Sequence, residues 1–189
     1  VLDLAKAHGR TEEADRLLHN ISAPRTSQAG LNFSEPCIMA ILNVTPDSFH
    51  DGGRDASAAD AIQRGIDMYR AGAHIIDVGG ESTRPGAQPV PEEEELERVL
   101  PVVEGLSRHA PVSIDSRRAG VLSRCLAAGA SLANDVHALT GEGCTEAVAA
   151  SDVPVVLMHG PADPAVMQSD TEYADVSLET WDWLEGRIK

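Results

Sequence analysis

The sequence between residues 74 and 87 joins a short apolar run to a polar loop that contains glycine. The run is rich in β-branched residues, which favour a buried strand, and it ends beside Asp77. The glycines that follow allow a backbone to approach a ligand closely. Thr83 and Arg84 then supply a hydroxyl and a forked cation suited to phosphate oxygens. This pattern favours a ligand-binding loop at a strand end, although an ordinary surface loop with a glycine turn would show similar residues.

Five apolar, strand-like runs recur along the chain, and each ends in a group that could bind a ligand. The runs cover residues 38–44, 74–78, 112–115, 131–136 and 153–159. The groups at their ends are Asn43, Asp77, Asp115, Asn134 with Asp135, and Met158 with His159. In a (β/α) barrel the carboxyl ends of all strands lie on one rim, where catalytic residues gather. The set therefore predicts a site on that rim.

Helical patterns separate these runs, and strands that alternate with helices predict a parallel sheet. The helical segments cover residues 11–21, 58–70, 91–106, 117–128, 145–150 and 176–189. The first run is not followed by a GxGxxG motif, and no Walker-type lysine loop occurs, which disfavours nucleotide-binding folds and favours a barrel. We predict that residues 1–36 form an N-terminal extension or cover, and that residues 37–189 form the α/β domain.

Composition narrows the range of partners. The 189 residues carry a formal charge of −15, whereas a DNA or RNA surface needs a basic footprint, so a nucleic-acid partner is not expected. No apolar run is long enough to cross a membrane, and no secretory leader is visible. Three scattered cysteines without CxxC spacing suit reduced thiols in a cytoplasm. An anionic substrate would need a local cation or a metal in so acidic a chain.

Two long motifs resemble the signatures of dihydropteroate synthases. Residues 42–49, Leu-Asn-Val-Thr-Pro-Asp-Ser-Phe, with Asp-Gly-Gly at 51–53, resemble the first signature, and residues 76–87 resemble the second. Ser-Ile-Asp-Ser, Asn-Asp-Val and Leu-Met-His follow in the family's order, starting at residues 113, 134 and 157. The resemblance implies a (β/α)8 TIM barrel that joins 6-hydroxymethyl-7,8-dihydropterin diphosphate to p-aminobenzoate and releases pyrophosphate in folate synthesis.

The resemblance also implies roles for residues at the strand ends. Asn43 would ligate the Mg²⁺ that holds the diphosphate, since a hard cation takes amide and phosphate oxygens and keeps some water. Asp115 and Asn134 would hydrogen-bond the pterin ring, because a carboxylate accepts from ring N–H groups and an amide both donates and accepts. Met158 would pack against the flat ring, and a core methionine is the alternative.

The remaining implied roles concern the diphosphate and the reacting carbon. Thr83 and Arg84 would contact the diphosphate or the incoming amine. Asp47 and Asp77 would lie near the carbon that is attacked, where negative charge stabilises a cationic methylene as pyrophosphate departs, although Asp77 could instead be a structural hydrogen-bond acceptor. Two mobile loops, at residues 45–53 and 82–87, would exclude water from that carbon.

The sequence departs from the resemblance in its extent. A full barrel has eight strands and typically about 250 residues. The family's later Asp-Pro-Gly strand, its Ser-Arg-Lys segment and its final Arg-x-His have no counterpart here. We therefore expect the N-terminal portion of a synthase, inactive by itself and homodimeric when full length. An open sheet would expose apolar edges, so the isolated chain is expected to be unstable or prone to aggregation.

Two other functions stay open. One is a relative that transfers a methyl group from a folate to a corrinoid protein, but that chemistry has no diphosphate for residues 45–53 or the Ser-Thr-Arg segment at 82–84 to hold. The other is a non-catalytic paralogue or fragment that binds a pterin or only a partner chain. Pterin binding without product formation would identify it.

Overall fold

The computed structural model describes residues 6–7, 9–23, 27–44, 54–81, 89–160 and 172–188. Its strands are β1 (Met39–Asn43), β2 (Ile75–Gly79), β3 (Val112–Asp115), β4 (Leu132–Asp135) and β5 (Val155–Leu157). Its helices of six or more residues are α1 (Thr11–Ser22), α2 (Arg54–Arg70), α3 (Glu92–Leu106), α4 (Ala119–Ala127), α5 (Cys144–Ala149) and α6 (Val176–Ile188). The predicted strands and helices are confirmed to within a few residues at each end.

The strands form one parallel sheet in the order β1-β2-β3-β4-β5. Consecutive strands are neighbours, and a helix follows each of them along the chain, which is the arrangement of successive βα units. At the carboxyl edge, Asn43 pairs with Gly79, Gly79 with Asp115 and Asp115 with Asn134. This pairing register brings residues from four strands into one row across the sheet.

One face of the sheet is apolar and lies against the helices. Because side chains alternate along a strand, every second residue points to this face. The buried strand residues of this face are Leu42, Ile76, Val78, Val112, Ile114 and Ala133. They share a core with residues of α3 and α4, namely Val99, Val102, Val103, Leu106, Val121 and Leu122. Fully burying such a side chain stabilises the fold by roughly 1.5–3 kcal/mol, so this layer holds the strands in place.

The opposite face, which we call the inner face, carries the polar residues. Ile41, Asp77 and Ser113 lie in register there, one row below the row that contains Asn43 and Asp115. Ile41 is 66% exposed, so apolar surface remains uncovered beside the polar groups. The fold thus separates a packed helix face from an inner face on which a site can form.

The N-terminal segment contacts the other end of the inner face. Leu31 is buried with Ile75 and Leu132, the first residues of β2 and β4. The backbones of Gln28 and Leu31 exchange two hydrogen bonds that hold this turn. Among the helices that the structure describes, none is sufficiently long and apolar for a transmembrane span.

Candidate active site

Asn43 and Asp115 converge over Gly79 at the carboxyl edge of the inner face. A Cβ atom placed on Gly79 would lie 3.5 Å from Asp115 Oδ2 and 3.8 Å from Asn43 Oδ1. The two side chains come from β1 and β3, and the strand between them contributes no side chain at this level. An amide oxygen and a carboxylate oxygen are therefore brought together above bare backbone.

Asp77 and Asn134 form a second acid–amide pair, from β2 and β4. Asn134 Nδ2 donates a hydrogen bond of 3.1 Å to Asp77 Oδ2. The contact reaches across β3, whose Ser113 is the in-register neighbour of Asp77 and is fully buried. Side chains from alternate strands share a layer in (β/α) barrels, and both pairs follow that rule.

Burial raises the pKa values of both acids on the inner face. At Asp77 the neighbouring Ser113 hydroxyl and Asn134 amide only partly oppose this rise in pKa. Burial and then the negative charge of Asp77 raise the pKa of Asp115 to about 7. Within the described residues neither acid makes an ion pair. Asp115 therefore lies near the point where a carboxyl group can either accept or donate a hydrogen bond at neutral pH.

Two acids and two arginines form ion pairs just beyond β2. We call this group the ion cluster, and it consists of Glu81, Glu95, Arg117 and Arg118. Glu81 Oε2 is 2.9 Å from Arg117 Nε and 3.2 Å from Arg118 Nη1. Arg118 also contacts Glu95 and donates to the carbonyl of Val90. The Val90 N–H donates to Glu81 Oε1 at 2.9 Å. The cluster thus joins residues on both sides of residues 82–88.

The pKa values of the two acids of the ion cluster are shifted in opposite directions. Burial would raise the pKa of Glu81, but hydrogen bonds from Arg117, the Val90 N–H and Arg118 outweigh it and lower the pKa to about 2. Glu95 is 1% exposed, and burial raises its pKa more than hydrogen bonds from Ser116 and Arg118 lower it. The net pKa shift of Glu81 therefore follows its hydrogen bonds and cations, whereas the net pKa shift of Glu95 follows its burial.

The two glycines after Val78 have different neighbours. A Cβ atom on Gly80 would lie 2.8 Å from Val99 Cγ1 and 2.9 Å from Glu95 Cγ, so Gly80 allows the chain to pack against α3. Gly79 faces Asn43 and Asp115 instead. The sequence predicted close approach to a ligand at both positions, whereas the structure places only Gly79 on the inner face.

The end of β5 brings Met158 beside the site edge. Met158 is 38% exposed and lies one residue beyond the end of β5. The ring of His159 lies 5.1 Å from that of Trp183 in an edge-on contact, which links this end of the sheet to α6. The same helix is tied to the loop after β4, because Arg187 Nε donates to the carbonyl of Ala138 at 2.8 Å.

Asp135 has a structural role among the strand-end groups. Asp135 is fully buried. It lies two residues after Ala133, which packs against the helices, so its side chain points to the same helix face. Its Oδ1 accepts from the His137 N–H at 2.7 Å, and its Oδ2 accepts from the Leu139 N–H at 2.8 Å. Asp135 therefore shapes the loop after β4, while Asn134 points to the inner face.

The structure brings together Asn43, Asp77, Asp115 and Asn134. The predictions for Asp47, Thr83 and Arg84, and for the loops at residues 45–53 and 82–87, lie outside the described residues. Sequence reasoning assigned no role to the residues of the ion cluster. Their contacts join positions 23 to 37 residues apart, so no local pattern reveals them.

The donor atoms of the site fit Mg²⁺ only as part of a larger shell. Asn43 offers a hard amide oxygen next to the Asp115 carboxylate. Among the described residues, no group of three or more His, Cys, Asp or Glu side chains could enclose an ion. Mg²⁺ commonly takes one or two protein oxygens and completes its shell with water and substrate phosphate, so the residues present are compatible with it.

A parallel βα sheet that gathers acids and amides at its carboxyl edge has the arrangement of successive units of an α/β barrel. The sequence profile of the pterin binding enzyme family matches residues 39–189. The chain belongs to this family of pterin binding enzymes.

Relatives with known names support the same placement. The chain is 48% identical over 151 residues to the dihydropteroate synthase of Escherichia coli K12, covering 79% of this chain and 54% of that protein. It thus spans about half the length of that curated relative.

Solved structures extend the likeness to the fold. The Xanthomonas albilineans dihydropteroate synthase with 4-aminobenzoic acid is 45% identical, with a TM-score of 0.77 over 88% of this chain and 60% of that one. The same enzyme in complex with 7,8-dihydropteroate is 42% identical, with a TM-score of 0.70 over 84% of this chain and 55% of that one. The parallel sheet and its helices match the N-terminal part of these TIM barrels, which confirms the predicted fold class.

Proposed function

We propose that the protein containing this chain is a dihydropteroate synthase. It would transfer the pterin of 6-hydroxymethyl-7,8-dihydropterin diphosphate to p-aminobenzoate and release pyrophosphate. The observation that carries the proposal is the in-register row of Asn43, Gly79, Asp115 and Asn134, in a chain similar to synthases over most of its length. That row offers hydrogen-bonding oxygens on one side and a metal-compatible oxygen on the other.

Asp115 and Asn134 would recognise the edge of the pterin ring. A heterocycle of this kind presents both N–H donors and ring-nitrogen or carbonyl acceptors, and an acid near its pKa together with an amide can match both. Met158, half exposed at the end of β5, would cover one face of the ring through its polarisable thioether. These three residues would orient the ring so that its methylene carbon faces the incoming amine.

The other half of the reaction requires that the negative charge of the leaving diphosphate be neutralised. Asn43 would hold Mg²⁺, which when bound would offset that charge together with Arg84, and Thr83 would donate a hydrogen bond to a diphosphate oxygen. The aniline nitrogen is already nucleophilic, so no covalent enzyme intermediate is needed. Asp47 would supply negative charge near the methylene carbon as positive charge develops there.

The proposed roles of the N-terminal segment, the location and the oligomeric state rest on other parts of the chain. Residues 1–36 would act as a cover, which the burial of Leu31 against the amino ends of β2 and β4 supports. A cytoplasmic location is supported by thiols that are free at Cys37, Cys125 and Cys144. We also propose that the full-length protein is a homodimer, with small molecules rather than nucleic acid or membrane as its substrates.

The decisive experiment is pyrophosphate release by the longest natural protein that contains this sequence. Release should require dihydropterin diphosphate, p-aminobenzoate and Mg²⁺ together. Asn43→Ala and Arg84→Ala should each lower kcat/KM by at least about tenfold, the scale of one lost contact to a charged group. Glu93→Gln, a change of an exposed glutamate on α3, should leave the rate unchanged.

Two other results would overturn the proposal. A folded protein that binds a pterin yet releases no pyrophosphate would be a non-catalytic paralogue. Methyl transfer from a folate to a corrinoid protein, with no use of the diphosphate, would identify the methyltransferase relative.

A further inference from the structure

The hydrogen bond between Asp77 and Asn134 determines which way the Asn134 amide faces. A carboxylate accepts hydrogen bonds and does not donate them, so the NH₂ end of the amide has to turn toward it. The structure shows this arrangement, with Nδ2 donating to Asp77 Oδ2 at 3.1 Å. Within the described residues the oxygen of the same amide accepts no hydrogen bond, and it remains available for a ligand.

Asp77 is held firmly enough to act as this reference point. It is 4% exposed, and its position in β2 lies between Ile41 and Ser113 in the register of the sheet. In the described part of the chain its Oδ1 atom is buried without a hydrogen-bond partner, and its Oδ2 atom accepts from Asn134. The Asn134 amide is therefore the group that the buried carboxylate contacts through a hydrogen bond.

We infer that Asp77 is a positioning residue that makes Asn134 present its amide oxygen, and not its NH₂ group, to the substrate ring. The inference rests on the proposed function and assigns Asp77 a route of action that does not require contact with the reacting carbon. It also makes Asn134 selective, because a ring edge must then offer an N–H donor at that point. An acceptor at the same place would face another acceptor, which costs binding.

The variant Asp77→Asn tests this with little change of shape. An amide at residue 77 can donate as well as accept, so Asn134 is no longer held in one orientation. We expect the KM for dihydropterin diphosphate to rise by about tenfold, which corresponds to about one hydrogen bond, while the KM for p-aminobenzoate and kcat change by less than about twofold. A fall in kcat with an unchanged KM would instead indicate direct charge stabilisation at the carbon, and would overturn the inference.

A double-mutant cycle with Asn134→Ala decides whether Asp77 acts through Asn134. If it does, Asp77→Asn should change the pterin KM by less than about twofold in the Asn134→Ala background. Equal effects in both backgrounds would contradict the inference. Ser113→Ala is the matched control, because it alters the in-register neighbour of Asp77 and leaves the Asn134 contact in place; its pterin KM should stay within about twofold.

A measurement on the unmodified protein covers the case in which Asp77→Asn does not fold. The side-chain NH₂ signal of Asn134 in a ¹⁵N NMR spectrum, assigned by its loss in Asn134→Ala, should exchange with solvent more slowly than the other asparagine amides. Rapid exchange would overturn the inference without any use of the activity assay. Absence of pyrophosphate release by the unmodified protein would count against the proposed function alone.

Discussion

The end of β2 separates acids whose pKa values are shifted in opposite directions. On the inner face, Asp77 and Asp115 have amide and hydroxyl neighbours, and burial raises the pKa of both, that of Asp115 to about 7. On the other side, Glu81 contacts two guanidinium groups, and its pKa falls to about 2 even though burial opposes this. Gly79 faces the first group, and Gly80 packs against the second.

The partners of an acid and its depth of burial together decide the direction in which its pKa is shifted. An acid without a cation remains close to titration and can hydrogen-bond a neutral ring. An acid between two arginines stays charged at neutral pH and can hold backbone, here the N–H of Val90. Glu95 marks the boundary, because it shares Arg118 with Glu81 but is so deeply buried that its pKa is still raised.

The largest expected effect comes from breaking the ion cluster at its centre. Arg118→Ala leaves Glu95 without a cation and Glu81 with only one. Because removal of one partner strands a buried charge, the free energy of unfolding in urea should fall by about 3 kcal/mol. Arg108→Ala, at an exposed position on the surface, should change it by less than about 0.5 kcal/mol. A loss below about 1 kcal/mol for Arg118→Ala would show that the cluster does not hold this part of the fold.

The two glycines provide a smaller and closely matched contrast. Gly80→Ala forces a methyl group into Val99 and Glu95, so thermal unfolding should report a loss of about 2 kcal/mol from overpacking. Gly79→Ala adds its methyl group at ordinary contact distances, so its stability should change by less than about 0.5 kcal/mol. Equal melting temperatures for the two variants would remove the distinction between an inner-face glycine and a packing glycine.

The smallest effects lie in the pH dependence of stability, where the two groups should have opposite signs. Folded Asp115, with a pKa of about 7, keeps a proton that the unfolded chain loses near pH 4, so its contribution to stability falls as pH rises from about 4 to 7. Glu81 stays ionised in the folded state, so its contribution is present above about pH 4.5 and is lost as pH falls toward 2.

Urea unfolding between pH 2 and 8 would test both signs against variants that cannot titrate. The stability of Asp115→Asn relative to the unmodified protein should increase between about pH 4 and 7, by at most about 1.4 kcal/mol per pH unit. The deficit of Glu81→Gln should shrink as the pH falls from about 4.5 toward 2. If the stability of either variant differed from that of the unmodified protein by a constant amount across this pH range, the acid that the variant lacks would have an ordinary pKa in the folded state.

Local patterns predicted the parts of this molecule that depend on neighbouring residues. Alternating apolar strands and amphipathic helices were enough to place β3 and α3 closely, and the polar strand ends predicted that Asn43, Asp115 and Asn134 share one edge. The motifs that resemble dihydropteroate synthases led to the family that the comparisons confirm. The residues of the ion cluster were not predicted, because their contacts depend on how α3 and the start of α4 pack against the end of β2.

The sequence by itself determined the order of strands and helices and the chemical groups at each strand end, since both follow from periodicity and residue type. Only the tertiary structure decided which groups act together. Pairing register placed Asn43 beside Asp115 over Gly79, and the reach across β3 joined Asp77 to Asn134. It also turned Asp135 toward the helices although Asn134, one residue earlier, faces the site. The reason is that successive residues of a strand point to opposite faces. A shift of one position along the strand therefore decides whether a side chain packs against the helices or faces the site.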